Sequence, residues 1–306
     1  MDRADSLAMF AEVAEHGSFA EAARRLGRSP AAVTRGIADL ETRLNVRLFN
    51  RTTRAVSLTD AGQRLFAGAK RVLADLDEIE RAAAGAGTAP RGELRVTAPI
   101  LFGRLHVAPL VREFLERFPD VSVTLALIDR PVDLVEEGLD VALRIGALAE
   151  SSAIATRVGA MPRVVVASPD YLAQHGTPQV PADVAGHAVV VFAGMFGERW
   201  TFREGAGETS IAIKPRLTVN TAEAAVDAAR ASFGLTRVLG YQAADDIGRS
   251  TLVRLLKAHE LDALPIHLLY PGGRYPPPKL RAFLDFVTPR LRGRCEAIMR
   301  AIESGK

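Results

Sequence analysis

The sequence contains a single cysteine, Cys295, among 306 residues. One thiol excludes an intramolecular disulfide and any CxxC metal or redox site, and Cys295 is predicted to be a buried thiol in the last helix. The six histidines are scattered without HxxH or HExxH spacing, so no metal site is expected. The sequence also lacks a GxSxG motif, a P-loop and a paired-carboxylate arrangement, which argues against an enzyme and a bound cofactor.

Long hydrophobic runs are absent as well. The longest extends from about Ala188 to Gly197, short of the roughly 18 residues that a membrane span needs. The first ten residues, MDRADSLAMF, interleave acidic and apolar side chains, so a secretory signal is not expected. We therefore expect a cytoplasmic protein with no membrane contact.

Negative charge is scarce in one segment, although the whole chain carries a formal net charge of only +3. Between Arg24 and Arg64 there are nine arginines and three acidic residues, a local excess of six positive charges. A solvated surface without a partner can carry such charge, but its concentration on a short segment with helix-turn-helix spacing favours a polyanion. Double-stranded DNA is the predicted partner.

Two closely connected helices are predicted at the start of the chain. An apolar helical pattern that begins near Leu7 ends at Gly17. Ser18 and Glu21 form a predicted capping box, in which the Ser18 hydroxyl accepts from the Glu21 amide and the Glu21 carboxylate returns to the Ser18 amide. The second helix is predicted to bury Phe19, Ala22, Ala23 and Leu26.

The third helix has the features of a recognition helix. Ser29 is its predicted N-cap and Pro30 its first residue. Its predicted core face comprises Val33, Ile37, Leu40 and Leu44. Its opposite face presents Ser29, Pro30, Ala31, Thr34 and Arg35. Such a helix tip fits a major groove, where Arg reads guanine edges and Thr or Ala contacts a thymine methyl. The alternative is the exposed face of an ordinary helical bundle.

A short basic hairpin follows and argues against that alternative. Residues 48–49 and 56–58 read as two strands, and the polar segment 50–54 joins them. Such a wing places Arg51, Thr52 and Arg54 beside the phosphates, where they add affinity without sequence choice. The first 60 residues are thus predicted to form a winged helix-turn-helix domain, dominated by α-helix.

One long helix, from about Thr59 to Ala84, leaves the predicted wing. Its apolar seam keeps heptad-like spacing and includes Leu65, Val72, Leu76 and Ile79. Packing on its own domain is one interpretation. The Gly/Pro-rich break at 85–92 leaves little to pack on, so antiparallel pairing with a second subunit is favoured.

Residues 10–62 resemble the DNA-binding signature of the LysR-type transcriptional regulators throughout their length. Two positions depart from that signature: Gly36 lies inside the recognition helix, and Asn45 stands where the family usually has glycine. The remainder resembles the family's effector-binding domain over nearly all of residues 92–286, in motifs such as Phe118-Pro119 and in segments 134–138, 140–146 and 167–172.

The C-terminal part alternates apolar strands with helical stretches, which implies a mostly parallel α/β sheet. Strands are predicted at 94–96, 121–127, 141–145 and 164–167. The resemblance implies two α/β subdomains like those of periplasmic binding proteins. The chain would cross between them near 161–166 and 266–270.

The predicted domain boundaries follow from this organisation. Residues 1–60 form the winged helix-turn-helix and 61–91 the dimerisation helix and hinge. Residues 92–306 form the effector-binding domain, with subdomain I at 92–162 and 268–306 and subdomain II at 163–267.

Ligands in open α/β sheets bind at the carboxyl ends of strands, so the cleft is the predicted effector site. Its candidate residues are Thr97, Ala98, Pro99, Arg144, Gly146, Asn220 and Thr221. Two hydroxyls, one arginine and a helix N-terminus at Ala222 favour a small carboxylate. An aromatic cluster has two interpretations, core packing or the lining for an aromatic effector, and comprises Phe192, Phe196, Trp200 and Phe202.

The leading hypothesis is a ligand-responsive DNA-binding regulator that acts as a homodimer, with the homotetramer implied by the resemblance and RNA polymerase a candidate further partner. A solute receptor for transport is a second hypothesis, and it requires a signal peptide or lipid anchor. An enzyme on the same scaffold is a third, and it requires a nucleophile-base pair or a metal cluster in the cleft.

Overall fold

The computed structural model describes residues 2–51, 56–83, 89–148, 153–193, 197–272 and 276–304. Contacts divide the chain into two compact units, Met1–Ala89 and Pro90–Lys306. The two are described separately below.

The N-terminal unit consists of a three-helix core, a two-stranded hairpin and one long helix. Its elements are α1 (Arg3–His16), α2 (Phe19–Arg25), α3 (Pro30–Leu44), β1 (Phe49–Arg51), β2 (Val56–Leu58) and α4 (Asp60–Ala83). This order is that of a winged helix-turn-helix, as predicted.

Local signals set the ends of α1 and α2. Gly17 ends α1 in the left-handed conformation, with φ of 61°. The Ser18 hydroxyl accepts from the Glu21 amide at 3.2 Å, which is half of the predicted capping box. The other half is wrong, because the Glu21 carboxylate accepts from Arg24 and Arg25, charged donors one turn further along the same helix.

Both ends of α3 are capped as well. The Ser29 hydroxyl accepts from the Ala32 amide at 3.2 Å, and Pro30 follows as the first helical residue. Asn45 ends the helix in the left-handed conformation, with φ of 51°. Asparagine is among the few residues besides glycine that adopt this conformation readily, so this departure from the family signature preserves the cap.

The core face of α3 differs from the prediction at two positions. Gly36 is buried, so it lies on the core side of the helix rather than among the DNA-facing residues. Leu44 is 44% exposed and was wrongly placed in the core, because α3 extends one turn beyond the apolar cluster that covers Val33, Ile37 and Leu40.

An apolar cluster around Phe10 holds the N-terminal unit together. Phe10 is fully buried and lies 5.3 Å from Phe49 and 6.4 Å from Phe66, ring centre to ring centre. These contacts join α1, the wing and α4. Burying a ring of this size contributes about 1.5–3 kcal/mol, so the long helix and the hairpin are integral parts of this domain.

The C-terminal unit alternates strands and helices. Its first half comprises β3 (Gly92–Ala98), α5 (Ile100–Phe102), a π-helical turn (Gly103–Val107), α6 (Ala108–Arg117), β4 (Val121–Leu127), β5 (Val141–Ile145), β6 (Ala153–Met161) and β7 (Arg163–Ala167). Its second half comprises α7 (Pro169–His175), β8 (Val189–Phe192), β9 (Arg199–Glu204), β10 (Gly207–Ala212), β11 (Leu217–Val219), α8 (Ala222–Arg230), β12 (Leu235–Leu239), α9 (Gly240–Gly248), β13 (Val253–Leu255), β14 (Leu264–Pro271) and α10 (Pro278–Ser304).

Two five-stranded sheets form two subdomains. The strand order is β4-β3-β5-β14-β6 in the first sheet and β11-β8-β12-β7-β13 in the second, and β9 and β10 form a separate hairpin. Each sheet contains two parallel and two antiparallel pairings. The expectation of a mostly parallel sheet is therefore wrong, because one strand in each sheet, β14 in the first and β7 in the second, runs antiparallel to both of its neighbours.

The chain crosses between the two sheets twice. The first crossing is at Pro162, between β6 and β7, within the predicted range. The second lies between Leu255 and Leu264, earlier than the predicted 266–270, because β14 already begins at Leu264. The last helix, α10, packs against both subdomains, since Phe283 contacts the core of the first sheet and Ile302 contacts the core of the second.

Cys295 lies in α10 and is 3% exposed, as predicted. Burial raises the pKa of its thiol to about 11. A thiol with such a pKa is protonated near neutral pH, so Cys295 acts as a small apolar side chain in the core.

Candidate DNA interface and effector cleft

The start of α3 presents a polar face to solvent. Its exposed residues are Ser29, Pro30, Ala31, Thr34 and Arg35. The Ser29 hydroxyl is used in capping, and the Thr34 hydroxyl donates to the Pro30 carbonyl at 2.9 Å. Arg35 forms no ion pair with any residue that the structure describes. The guanidinium of Arg35 is therefore the one charged hydrogen-bond donor of this face, among small side chains.

Three arginines of the basic segment are paired within the domain. Arg24 and Arg25 contact Glu21, and Arg28 donates to Asp5 at 2.9 Å. Both acids lie outside the segment whose charge was counted from the sequence. Exposed pairs of this kind contribute about 0–1 kcal/mol and are screened by salt, so these arginines can still exchange their partner for a phosphate.

The base of the wing is fixed to α3 by a residue that sequence reasoning missed. One carboxylate oxygen of Glu41 accepts from the amides of Leu48 and Phe49, at 2.8 and 3.2 Å. Thr59 holds the other end of the hairpin, because its hydroxyl donates to the Arg47 carbonyl at 2.7 Å and accepts from the α4 backbone. The contacts of Glu41 and of Thr59 with the segment that begins β1 follow no local sequence signal, since they join residues seven or more positions apart. The cap of Thr59 on α4 is local, within three residues, and agrees with the sequence.

The strands of the wing pair in antiparallel register, with Phe49 opposite Leu58 and Arg51 opposite Val56. Arg51 lies at the end of β1. Thr52 and Arg54, two of the predicted phosphate contacts, lie outside the described residues, as does the side chain of Arg51. The described part of the hairpin thus consists of its two strands, β1 and β2.

The seam of α4 divides into two parts. Leu65 and Ala69 pack in the apolar cluster of their own domain. The first part of the seam therefore packs within the domain, which is the alternative to pairing with a second subunit. Val72 is 50% exposed, and Leu76 is half-buried. The side chain of Ile79 lies outside the described residues.

Three buried polar atoms without a partner among the described residues lie on one face of the first sheet. Thr97 is opposite Ala142 in β5, and Arg144, two residues further on, is opposite His267 in β14. Their side chains therefore project to the same face. The Thr97 hydroxyl, one terminal nitrogen of Arg144 and Nδ1 of His267 are buried without a hydrogen-bond partner among the described residues.

The rest of Arg144 is held in place. Its other terminal nitrogen donates to the Ile128 carbonyl at 2.9 Å. Burial lowers the pKa of Arg144, and Asp129 and Glu137 oppose that shift. The guanidinium remains charged, so a fixed cation lies at the carboxyl end of β5.

Ala98 ends β3, Pro99 follows it, and Gly146 follows β5. The Ala98 carbonyl accepts from the Ile128 amide at 2.9 Å, and the Gly146 amide donates to the Pro265 carbonyl of β14 at 2.9 Å. Gly146 has φ of 119°, a conformation that disfavours any side chain. The amide after Pro99, that of Ile100, donates to a carboxylate oxygen of Asp129 at 2.9 Å. Sequence reasoning missed Asp129 and His267 because the register alone brings them here.

Asn220 and Thr221 occupy the second subdomain, at the N-terminus of α8. Both are exposed. The Thr221 hydroxyl accepts from the Ala224 amide at 3.3 Å and thereby caps α8. The residue therefore has a structural role in addition to the predicted contact with the effector.

The aromatic cluster belongs mainly to the core. Trp200 and Phe202 are 1% and 2% exposed and pack with Tyr171 in the second subdomain. Phe192 is 5% exposed and packs in the core shared with the first sheet. Phe196 lies outside the described residues. Of the two interpretations from the sequence, the structure supports core packing for the three described rings.

The described ranges show neither a cluster of metal ligands nor a long apolar helix. These contain no group of three or more His, Cys, Asp or Glu side chains that could hold a metal ion. None of their helices combines the length and the apolar character that crossing a membrane requires.

Comparison with known protein families gives two matches that together span most of the chain. The helix-turn-helix family described as bacterial regulatory helix-turn-helix protein, lysR family, matches residues 4–63. The family described as LysR substrate binding domain matches residues 87–292. The two matches correspond to the two compact units.

Individual proteins are similar along nearly their whole length. A transcriptional repressor of Pseudomonas aeruginosa is 33% identical over 292 residues, which cover 94% of this chain and 92% of that protein. The transcriptional activator AaeR of Escherichia coli is 31% identical, with 94% of each chain covered. The solved structure of CrgA, a LysR-type transcriptional regulator from Neisseria meningitidis, is 31% identical with a TM-score of 0.60, covering 95% of this chain and 99% of CrgA.

Proposed function

Because this chain belongs to the family of LysR-type transcriptional regulators, with a helix-turn-helix domain and an effector-binding domain, we propose that it binds promoter DNA as a homodimer that assembles into a homotetramer. A small anionic effector in the C-terminal cleft modulates this binding. The three unpartnered polar atoms of Thr97, Arg144 and His267 carry the effector proposal.

The DNA contact is assigned to two elements. The exposed face of α3 enters the major groove, with Arg35 reading a base edge and Thr34 contacting a thymine methyl or a base. Ser29, Pro30 and Ala31 form the tip that approaches the groove floor. Arg51, Thr52 and Arg54 of the wing contact phosphates, which adds affinity without sequence choice.

The oligomer is assigned to the second part of α4. Val72 is half exposed on α4, whereas Leu65 and Ala69 of the same helix pack in the apolar cluster of their own domain. Leu76 and Ile79 continue the same seam in the sequence. Pairing of this surface with a second copy buries it and aligns two recognition helices for two half-sites. In this assignment residues 61–91 form the dimerisation helix and hinge, and Leu65 supports the helix from within its own domain.

The effector site is assigned to the carboxyl ends of β3 and β5. An unpaired buried hydroxyl or guanidinium nitrogen costs about 1–3 kcal/mol, and a ligand oxygen that accepts from both removes that cost. A carboxylate meets this requirement because it supplies two acceptor oxygens and a charge opposite to that of Arg144. Ala98, Pro99 and Gly146 shape the site, with Asn220 and Thr221 facing it from the second subdomain.

The effector proposal is tested with a panel of aliphatic and aromatic carboxylates, each paired with its uncharged amide. The melting temperature of the full chain is measured with each compound, since a ligand that binds only the folded state raises it. We expect at least one carboxylate, and not its amide, to raise the melting temperature, and Thr97→Val to reduce this effect. Thr218→Val, which changes an exposed threonine of β11, is the matched control. Equal responses to acids and amides, or an unaltered response in Thr97→Val, contradict the assignment.

A further inference from the structure

A second concave site lies on the helical side of the C-terminal unit. It is a groove of about 650 Å³ between the turn after β3 in the first subdomain and α8 and α9 in the second. Leu101, Leu105 and Val226 contribute to an apolar floor, and charged side chains surround it. This volume suits a small metabolite.

The turn that forms one wall of the groove is a π-helix, Gly103–Val107. Such turns are rare in proteins, but those that occur are often found at functional sites, because the wider turn redirects side chains. Here Arg104 and His106 line the groove. Arg104 forms a 3.5 Å ion pair with Glu223 of α8, which links the two subdomains across the groove.

His106 presents an unused polar atom in this wall. Its Nε2 is buried and has no hydrogen-bond partner among the described residues. Its ring contacts Phe102 and Tyr241, with centroids 4.8 and 5.8 Å away. Burial and, to a smaller extent, Arg294 lower the pKa of His106 to about 4 against the opposing effect of Asp245, so the ring is neutral near pH 7. A neutral ring nitrogen in this position calls for a polar group on a ligand.

The charges around the groove separate into a closed network and two exposed side chains. Arg230 binds both carboxylate oxygens of Asp246 at 2.8 Å and also pairs with Asp227. Asp245 and Arg249 also line the groove, one turn apart on α9 and its cap. Neither of these two side chains has an ion-pair or hydrogen-bond partner among the residues that the structure describes.

We propose that this groove binds an apolar α-amino acid in its zwitterionic form, as a second ligand site of the effector-binding domain. Asp245 receives the ammonium group, Arg249 receives the carboxylate, and His106 Nε2 hydrogen-bonds the bound ligand. The apolar side chain rests on Leu101 and Val226. A zwitterion pairs with both Asp245 and Arg249, whereas a ligand with a single charged group pairs with only one of them.

Such a ligand contacts both subdomains. It lies beside the ion pair of Arg104 and Glu223 and adds contacts between the turn of the first subdomain and α9 of the second. A ligand that binds one arrangement of the two subdomains better than another shifts their equilibrium toward it. A ligand in the groove therefore acts on the arrangement of the two subdomains, as the proposed effector in the cleft does.

The test measures binding of L-leucine, L-valine, L-methionine and L-phenylalanine to the full chain by isothermal titration calorimetry. N-acetyl-L-leucine, which lacks the ammonium, and L-leucinamide, which lacks the carboxylate, are the matched probes. We expect at least one of the four amino acids to bind and both leucine derivatives to bind more weakly than leucine. Binding of none of the four, or binding of the derivatives as tightly as leucine, overturns the proposal.

Variants locate the site. We expect Asp245→Asn and Arg249→Gln each to weaken amino-acid binding about tenfold or more, as the loss of a charge-assisted hydrogen bond does. Asp170→Asn, an exposed acid of α7, is the control for a change of surface charge. Thr97→Val separates this groove from the cleft, because it is expected to leave amino-acid binding unchanged. Loss of binding in Thr97→Val with wild-type binding in Asp245→Asn and Arg249→Gln places the ligand in the cleft and overturns the second site.

Discussion

Thr97 and Thr236 are both fully buried threonines of the C-terminal unit, but their hydroxyls differ in one respect. The Thr236 hydroxyl donates to the Val190 carbonyl at 3.0 Å. The Thr97 hydroxyl has no partner among the described residues. Since a buried polar group without a partner destabilises a fold, Thr97 is explained better by ligand binding than by packing.

This difference predicts opposite results for the same substitution. Thr236→Val removes a hydrogen bond and leaves the Val190 carbonyl underused, so it is expected to lower the free energy of unfolding by about 1 kcal/mol. Thr97→Val replaces an unpaired hydroxyl by a methyl of similar size and is expected to leave stability unchanged or to raise it by up to about 1 kcal/mol. Urea unfolding measured by circular dichroism compares the two, and equal destabilisation contradicts the role given to Thr97.

Single residues also show which contacts can be predicted from the sequence. The caps at Ser18 and Ser29 were predicted because each acts within three residues of itself. The exposure of Arg35 followed from helical periodicity. The convergence of Thr97, Arg144 and His267 could not be fully predicted, since it depends on the register of β3, β5 and β14, and β14 comes from the far end of the chain.

Among the elements, the wing is the simplest test of the DNA assignment. Arg54→Ala and Arg51→Ala are each expected to weaken binding to all sequences alike and to flatten the slope of log K against log salt by about 1, as one lost phosphate contact does. Binding is measured by fluorescence anisotropy over a range of salt concentrations. Arg216→Ala, an exposed arginine of the other unit, is the control and is expected to retain the wild-type slope. An unchanged slope in both wing variants removes the wing from the interface.

The elements themselves were predicted with unequal success. Helices and short strands of the N-terminal unit follow local caps and periodicity, and their order was predicted correctly. The sheets of the C-terminal unit were expected to be mostly parallel, because apolar runs between helices do not reveal strand direction. Strands β6, β7, β13 and β14 pair antiparallel to their neighbours, and only the two crossings of the chain explain this.

For the whole molecule, α4 distinguishes packing within the chain from packing between chains. Leu65→Glu is expected to destabilise the N-terminal unit by about 2 kcal/mol or more, because Leu65 packs in its core. Val72→Glu is expected to change that stability by less than about 0.5 kcal/mol, because Val72 is half exposed. Instead it should remove one step of assembly, seen as a lower mass in sedimentation velocity. A Val72→Glu variant that sediments like the wild type contradicts the dimer surface.

The two units give the regulator its two capacities, recognition of DNA and recognition of an effector. Their family assignment explains the order of the domains, and the described contacts explain how each is built. The effector-binding unit contains two candidate sites that differ in chemistry, a cation with unpaired donors at the strand ends and a pair of opposite charges in the helical groove. Because the groove lies between the two subdomains, a ligand bound there can influence their movement.

The most direct test of the central claim is to recover the genomic DNA fragments that the purified chain binds and to compare them with those bound by Arg35→Ala. The account predicts an enriched sequence with two symmetric half-sites spaced by one or more helical turns, as two-fold symmetry requires. Arg35→Ala should lose preference at one position in each half-site, a change of about 1–3 kcal/mol, while keeping its non-specific binding. Binding without any enriched sequence, or an identical preference in Arg35→Ala, would contradict the account.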